Sequence, residues 1–203
     1  MGPRQHMLTS ARDLVMLMRT RRLGLVMAWA LGLVAVYVAL PLHTPVPFRD
    51  VVAEPTRALW GLAGCLVALV LDPRFEALER TTTLPIIWRR GCCLSWAVGF
   101  CALAAAGSAL LNHTHLTYPV RAVCAGSAVA IGVALVGSID TAVVATFLFV
   151  ATNWIFGLQN ITAEPHRWAV LMVDSPSLGD ALIPLVLILL GGMWTLRGAH
   201  RDS

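Results

Sequence analysis

The chain has 203 residues, of which 58% are hydrophobic and only 13% charged, with a formal net charge of +4. Soluble domains carry about 25% charged residues, so composition excludes that class and points to an all-α polytopic membrane protein, whose backbone polar groups are satisfied as helices inside lipid. No lysine occurs and all 15 basic residues are arginine, which excludes a GxxxxGK[ST] phosphate loop and a lysine Schiff base.

The first element is expected at Leu8–Arg22, LTSARDLVMLMRTRR. Leu14, Val15, Leu17 and Met18 recur at helical spacing, with Arg12, Asp13 and Arg19 on other faces. That pattern predicts an amphipathic helix lying on the membrane surface and feeding the first span.

Six transmembrane helices follow, since about 20 apolar residues cross the roughly 30 Å hydrocarbon core. They are expected near Leu23–Leu42, Val51–Leu71, Gly91–Leu111, Ala122–Ile139, Thr141–Leu158 and Gly179–Leu196. The second is weakened at its start by Glu54, Pro55 and Arg57. The connection Gly137-Ser138-Ile139-Asp140-Thr141 is very tight, and one long bent hairpin is an alternative there. Spans three and four are rich in small residues such as Ala104, Gly107, Gly126 and Gly132. Such residues let helices approach closely in lipid, within the monomer or along a dimer seam.

Six spans place both termini on one side. The N-terminal segment, the loop after span two and the C-terminal tail hold eleven arginines against four (Arg49, Arg57, Arg121 and Arg167) in the opposite loops. The excess assigns both termini and the 72–90 loop to the cytoplasm. Arginine without lysine, with abundant Ala, Gly and Val, fits the usage of a GC-rich bacterium, and hence a bacterial inner membrane.

The cytoplasmic loop is patterned. Asp72 and Pro73 form a helix start, because Asp caps orphan N–H groups and Pro suits the first helical position. Phe75 and Leu78 share a face, and Glu76 stands four residues before Arg80 in the favourable order. Thr81–Thr83 interrupt this helix, and Leu84-Pro85 restarts the chain into Ile86, Ile87 and Trp88, with Arg89 and Arg90 at the headgroup boundary. The segment reads as a solvated connector or as a docking helix for a cytoplasmic partner.

Beyond the fifth span, Glu164, His166, Arg167 and Trp168 suggest a polar, aromatic cap at the outer surface. At membrane depth Asn153, beside Trp154, is a functional candidate, either as an interhelical hydrogen bond or lining a substrate path. Asp140 is either solvated or paired with a cytoplasmic arginine. His113, His115 and His166 lack a carboxylate at metal-ligand spacing and read as polar loop residues. The sequons at Asn112 and Asn160 carry no weight in a bacterium. The five cysteines (Cys65, Cys92, Cys93, Cys101 and Cys124) fall in or at the ends of apolar segments and read as small core residues. No GxSG or HExxH arrangement sits in a span, which disfavours an intramembrane hydrolase.

In layout the chain resembles the membrane subunits of type-2 ABC exporters (the ABC-2 permease group). LDPRFEALERTTTLPIIWRR is similar to the LDDP…(A/S)TPxPxxxRR loop of small actinobacterial permeases of that group, with one Asp kept. The resemblance implies a single transmembrane domain over 1–203, with an elbow helix at 8–22, a coupling loop at 72–90 and a re-entrant or cap segment at 159–178. It implies that Asp72, Arg74, Phe75, Glu76, Leu78, Glu79 and Arg80 dock a separate ABC ATPase, which holds the ATP and Mg2+. It implies a homodimer, or a pair with a similar chain, in contact with membrane lipids and not nucleic acid. Asn153, Trp154, Glu164, His166 and Trp168 would line a substrate path or gate, with no catalytic residue, metal or cofactor in this chain. The alternative is a non-transporting immunity, sensor or scaffold protein whose loop binds a regulator.

Overall fold

A computed structural model describes residues 23–39, 44–45, 52–53, 59–71, 86–111, 115–157, 169–171 and 178–199. Six α-helices account for nearly all of them: α1 (Leu23–Ala39), α2 (Ala63–Val70), α3 (Ile86–Leu111), α4 (Thr117–Val136), α5 (Ile139–Phe156) and α6 (Leu178–Ala199). A 3₁₀ turn, Trp60–Leu62, runs directly into α2. One antiparallel pairing joins β1 (Thr44–Pro45) to β2 (Val52–Ala53).

Three helices are long and apolar enough to cross a membrane, over Arg90–Leu111, Thr117–Val136 and Ile139–Phe156. Gly24–Val36, Trp60–Val70 and Leu182–Arg197 are shorter apolar helical stretches. The chain is a helical membrane protein by these lengths and compositions. The expected elbow at 8–22 and the docking helix at 72–80 lie outside the described residues.

The second span differs from expectation at its start. Val52 and Ala53 are extended, paired with Pro45 and Thr44, rather than helical. Pro55 disfavours helical backbone in the residue before it, and Glu54 and Arg57 are costly at membrane depth. The other differences are shifts of helix ends. α3 begins at Ile86 and α4 at Thr117, so Arg90 and Arg121 lie inside helices rather than in loops.

From α2 to α6 the helices alternate in direction. α4 and α5 form an antiparallel hairpin, with Ala130 beside Ala142 in one small core cluster. Its turn is set by a capping box: the Ser138 hydroxyl accepts from the Thr141 N–H at 3.2 Å, and the Thr141 hydroxyl accepts from the Ser138 N–H at 2.9 Å. A side chain on Gly137 would lie 2.8 Å from the Thr141 hydroxyl oxygen and press on the cap. Two separate helices thus replace the bent-hairpin alternative. Asp140 is exposed in the first turn of α5, where a negative charge is favoured by the helix dipole.

Among the described residues, the Trp60–Leu71 stretch is the most enclosed. Trp60, Gly61, Ala63, Gly64, Leu66, Val67, Ala68, Val70 and Leu71 are buried, packed among α1, α3, α4 and α5. Its glycines meet α4 backbone to backbone. A Cβ on Gly64 would collide with the Gly126 carbonyl and stand 2.8 Å from Thr146 Cγ2. A Cβ on Gly126 would collide with the Gly61 carbonyl and lie 2.9 Å from its carbon.

At the end of the bundle where α2 finishes, Leu71, Leu94, Ile131 and Trp194 form a second cluster. Arg90, only 4% exposed, places its guanidinium carbon 5.3 Å from the centre of the Trp194 ring, a cation–π distance. Arg197 donates to the Leu135 carbonyl and so closes the C-terminal turn of α4. The cysteines are free; Cys93 and Cys101 are buried, and the Cys65 thiol faces the Val143 carbonyl at 3.6 Å.

Overpacking a core usually costs about 1–3 kcal/mol, and here the colliding atoms are backbone. Gly64→Val and Gly126→Val are therefore expected to lose at least ~3 kcal/mol, read as a collapse in detergent-extracted monodisperse protein. Gly192→Val, at a position with nothing within 4 Å, should leave the yield unchanged.

Candidate functional site: a buried polar layer at one end of the bundle

At the end opposite Arg90 and Arg197, several polar side chains are drawn inside the bundle. Gly61 is the meeting point. A Cβ there would lie 2.7 Å from Val150 Cγ2 on α5, 3.3 Å from Leu171 Cδ1 and 3.9 Å from the Ala122 carbonyl on α4. The absence of a side chain at Gly61 lets three other segments converge on the 3₁₀ turn.

Trp60 precedes it and is fully buried. Its indole N–H donates to the Ser108 hydroxyl at 3.1 Å, and that hydroxyl donates to the Ala105 carbonyl at 2.7 Å. Ser108 thereby accepts and donates at once, which satisfies a hydroxyl that is almost fully buried. The bond ties the start of the α2 segment to α3 across 48 residues of sequence.

Asn153 is 2% exposed. Its amide nitrogen donates to the Phe149 carbonyl at 2.9 Å, and its amide oxygen accepts the Leu171 backbone N–H at 3.3 Å. Of the two readings open for Asn153, a buried hydrogen bond between segments is what the geometry displays. Its partner is the turn at 169–171 rather than another helix. That turn is buried in the main core cluster through Ala169 and Leu171, and it is the part of the expected cap segment at 159–178 that is described ahead of α6.

Trp154 is half-buried against the same cluster, and its indole N–H finds no hydrogen-bond partner among the described residues. Ser127, fully buried at the middle of α4, has a hydroxyl in the same condition. Arg121 is buried one turn into α4, with its guanidinium 5.6 Å from the centre of the Tyr118 ring. Tyr118 in turn meets His115 edge to face, centroids 5.7 Å apart.

The structure therefore brings Asn153 and Trp154 to one buried layer. Glu164, His166 and Trp168 lie outside the described residues, as do Asp72, Arg74, Phe75, Glu76, Leu78, Glu79 and Arg80. The sequence reading missed Trp60, Ser108 and the burial of Arg121. The Gly61-Leu-Ala-Gly64 spacing next to Trp60 was the available signal, since glycines one turn apart mark close helix approach in lipid. Chemically the layer locks segments together: each assigned hydrogen bond crosses between elements or satisfies a carbonyl on its own helix.

Removing Asn153 strands the Leu171 N–H in an apolar site, which costs about 1–3 kcal/mol. Asn153→Leu should accordingly raise amide hydrogen exchange at 169–171 by at least tenfold while α3 and α4 keep their protection. Unchanged exchange at 169–171 would remove Asn153 as its anchor.

Comparison of the chain with protein-family models, curated proteins and solved structures finds no match.

Proposed function

We propose that the chain is the membrane-spanning subunit of an ATP-driven exporter, with six spans, both termini cytoplasmic and ATP hydrolysed by a separate ATPase. The observation that carries this reading is the position of α2. The charged stretch beginning at Asp72 continues directly from Leu71, the last residue of the most enclosed segment among the described residues. A partner gripping Phe75 and Leu78 would pull on an element packed against four helices, not on a peripheral loop.

The arginine distribution supports the same orientation. Arg90 and Arg197 lie at the α2-exit end of the bundle, on the side to which the arginine excess assigns the cytoplasm. Glu76 and Arg80 give the docking helix a charged face for recognition beside its apolar one. Motion of α2, carried with α4 through the glycine contact, then alters the buried layer at the far end, which holds Asn153 and Trp154. These two residues and, from the resemblance, Glu164, His166 and Trp168 are assigned to the exit path. The substrate is hydrophobic or amphipathic, and the working unit is a homodimer or a pair with a similar chain.

The test is purification from its own membranes with associated nucleotide hydrolysis. Wild-type protein should carry an ATPase subunit with a phosphate-binding loop, and Phe75→Asp or Leu78→Asp should lower that subunit and its activity at least tenfold with membrane insertion intact. Recovery of the chain without any ATP-hydrolysing subunit would favour the scaffold or sensor class. Undiminished association in both variants would remove the 72–80 segment as the docking site.

A further inference from the structure

α1 and α3 do not close on each other along their whole length. Between them lies an open apolar groove with a volume of about 640 Å³. Leu31 and Val34 of α1 form one wall, and Phe100, Leu103 and Leu110 of α3 the other. Gly107 also lines it, and a Cβ there would meet nothing within 4 Å. A bulky side chain at Gly107 would stand in the groove's open space.

Its lining from Phe100 to Leu111 covers eleven residue steps of α3, about 16 Å at 1.5 Å per residue. One leaflet of the hydrocarbon core is roughly 15 Å deep. The groove lies in the second half of a helix long and apolar enough to span a membrane, and it opens between Leu31, Leu103 and Leu110, all strongly exposed. Phe100 is steadied by stacking on Trp96, with centroids 5.3 Å apart and planes 6° from parallel. Ser108 is the polar side chain in the lining, and its hydroxyl is engaged by Trp60 and Ala105.

We propose that this groove holds one acyl chain of a bilayer phospholipid, seated lengthwise from the leaflet into which α3 ends. An alkyl chain matches the depth, runs parallel to the helix axis and asks for no hydrogen bond, and the groove offers none unspent. A headgroup has no partner inside it and remains at the α3 end, near Leu111. The occupant rests against Ser108, whose hydroxyl holds Trp60, so the seated chain borders the hydrogen bond that fixes the start of the α2 segment. This assignment does not rely on the exporter reading.

The experiment uses the full chain in phosphatidylcholine vesicles containing a phospholipid with a photoreactive diazirine in its acyl chain. After irradiation, peptide mass spectrometry should find labelling of residues 100–111 at least threefold above that at Val144, Phe147 and Leu148, exposed positions on α5. Gly107→Phe, which fills the groove, should bring that excess down to the α5 level, and Ala104→Leu should lower it part of the way. Gly192→Phe, on an open face of α6, should leave it unchanged. Equal labelling of the two helices overturns the proposal, as does an excess that survives Gly107→Phe. Low labelling at 100–111 in the wild type, from a second copy or another part of the chain lying in the groove, overturns it equally.

Discussion

Everything else in the bundle is arranged around a contact between bare backbones. The Gly61 carbonyl faces Gly126, and the Gly126 carbonyl faces Gly64, so the start of the α2 segment and α4 interlock along one turn. Inside lipid there is no hydrophobic drive to bring helices together, because the solvent is as apolar as the side chains. Close van der Waals contact must supply the attraction, and glycine permits the closest approach. From that spacing the remaining geometry follows: Thr146 and Val150 of α5 close over the same glycines, and Trp60 is carried to Ser108.

Polar groups refine a packing that small residues establish. A hydrogen bond within a membrane protein contributes about 0.6 kcal/mol on average, which would not hold six helices against the entropy of separating them. What such bonds do well is discriminate between arrangements, because a buried N–H left without an acceptor costs more than the bond itself gains. Trp60–Ser108 and Asn153–Leu171 each admit one register of the segments they join. The two arginines at the other end work differently. Arg90 lies against an aromatic face and Arg197 closes a helix terminus, so charge at the bundle end is spent on local contacts.

The apolar segments were legible because bilayer thickness imposes a minimum length, and five of the six expected spans coincide with helices within a few residues. The start of the second was not, since apolar Val52 and Ala53 look the same in sequence whether helical or extended. What decides it is Pro55 with its charged neighbours. Asn153 stood out because a lone amide in an apolar run is costly, but its partner did not. Leu171 contributes a backbone N–H, a group that every residue but proline has and that no pattern can single out. Arg121 read as a loop residue on the strength of its charge, and the early start of α4 at Thr117 buried it instead. Small residues were noticed in spans three and four by sheer abundance, yet the decisive pair in the second span is only Gly61 and Gly64.

The enclosed stretch from Trp60 to Leu71 is short: twelve residues, about 18 Å as a helix, against a hydrocarbon core of roughly 30 Å. A short element held by glycines has little capacity to absorb displacement. Long side chains can change rotamer to relieve a shift of a few tenths of an ångström, whereas touching backbones cannot, and close-packed interiors transmit strain rather than dissipate it. Force applied at the Leu71 end therefore reaches the Trp60 end with little loss. There it acts on Ser108 and on the convergence of Val150, Ala122 and Leu171 around Gly61. The Trp60–Ser108 bond is also the point where the α1–α3 groove touches the interior. Any movement of the central segment must either carry α3 with it or break that bond, and an occupied groove resists the first course by filling the space into which α3 would lean.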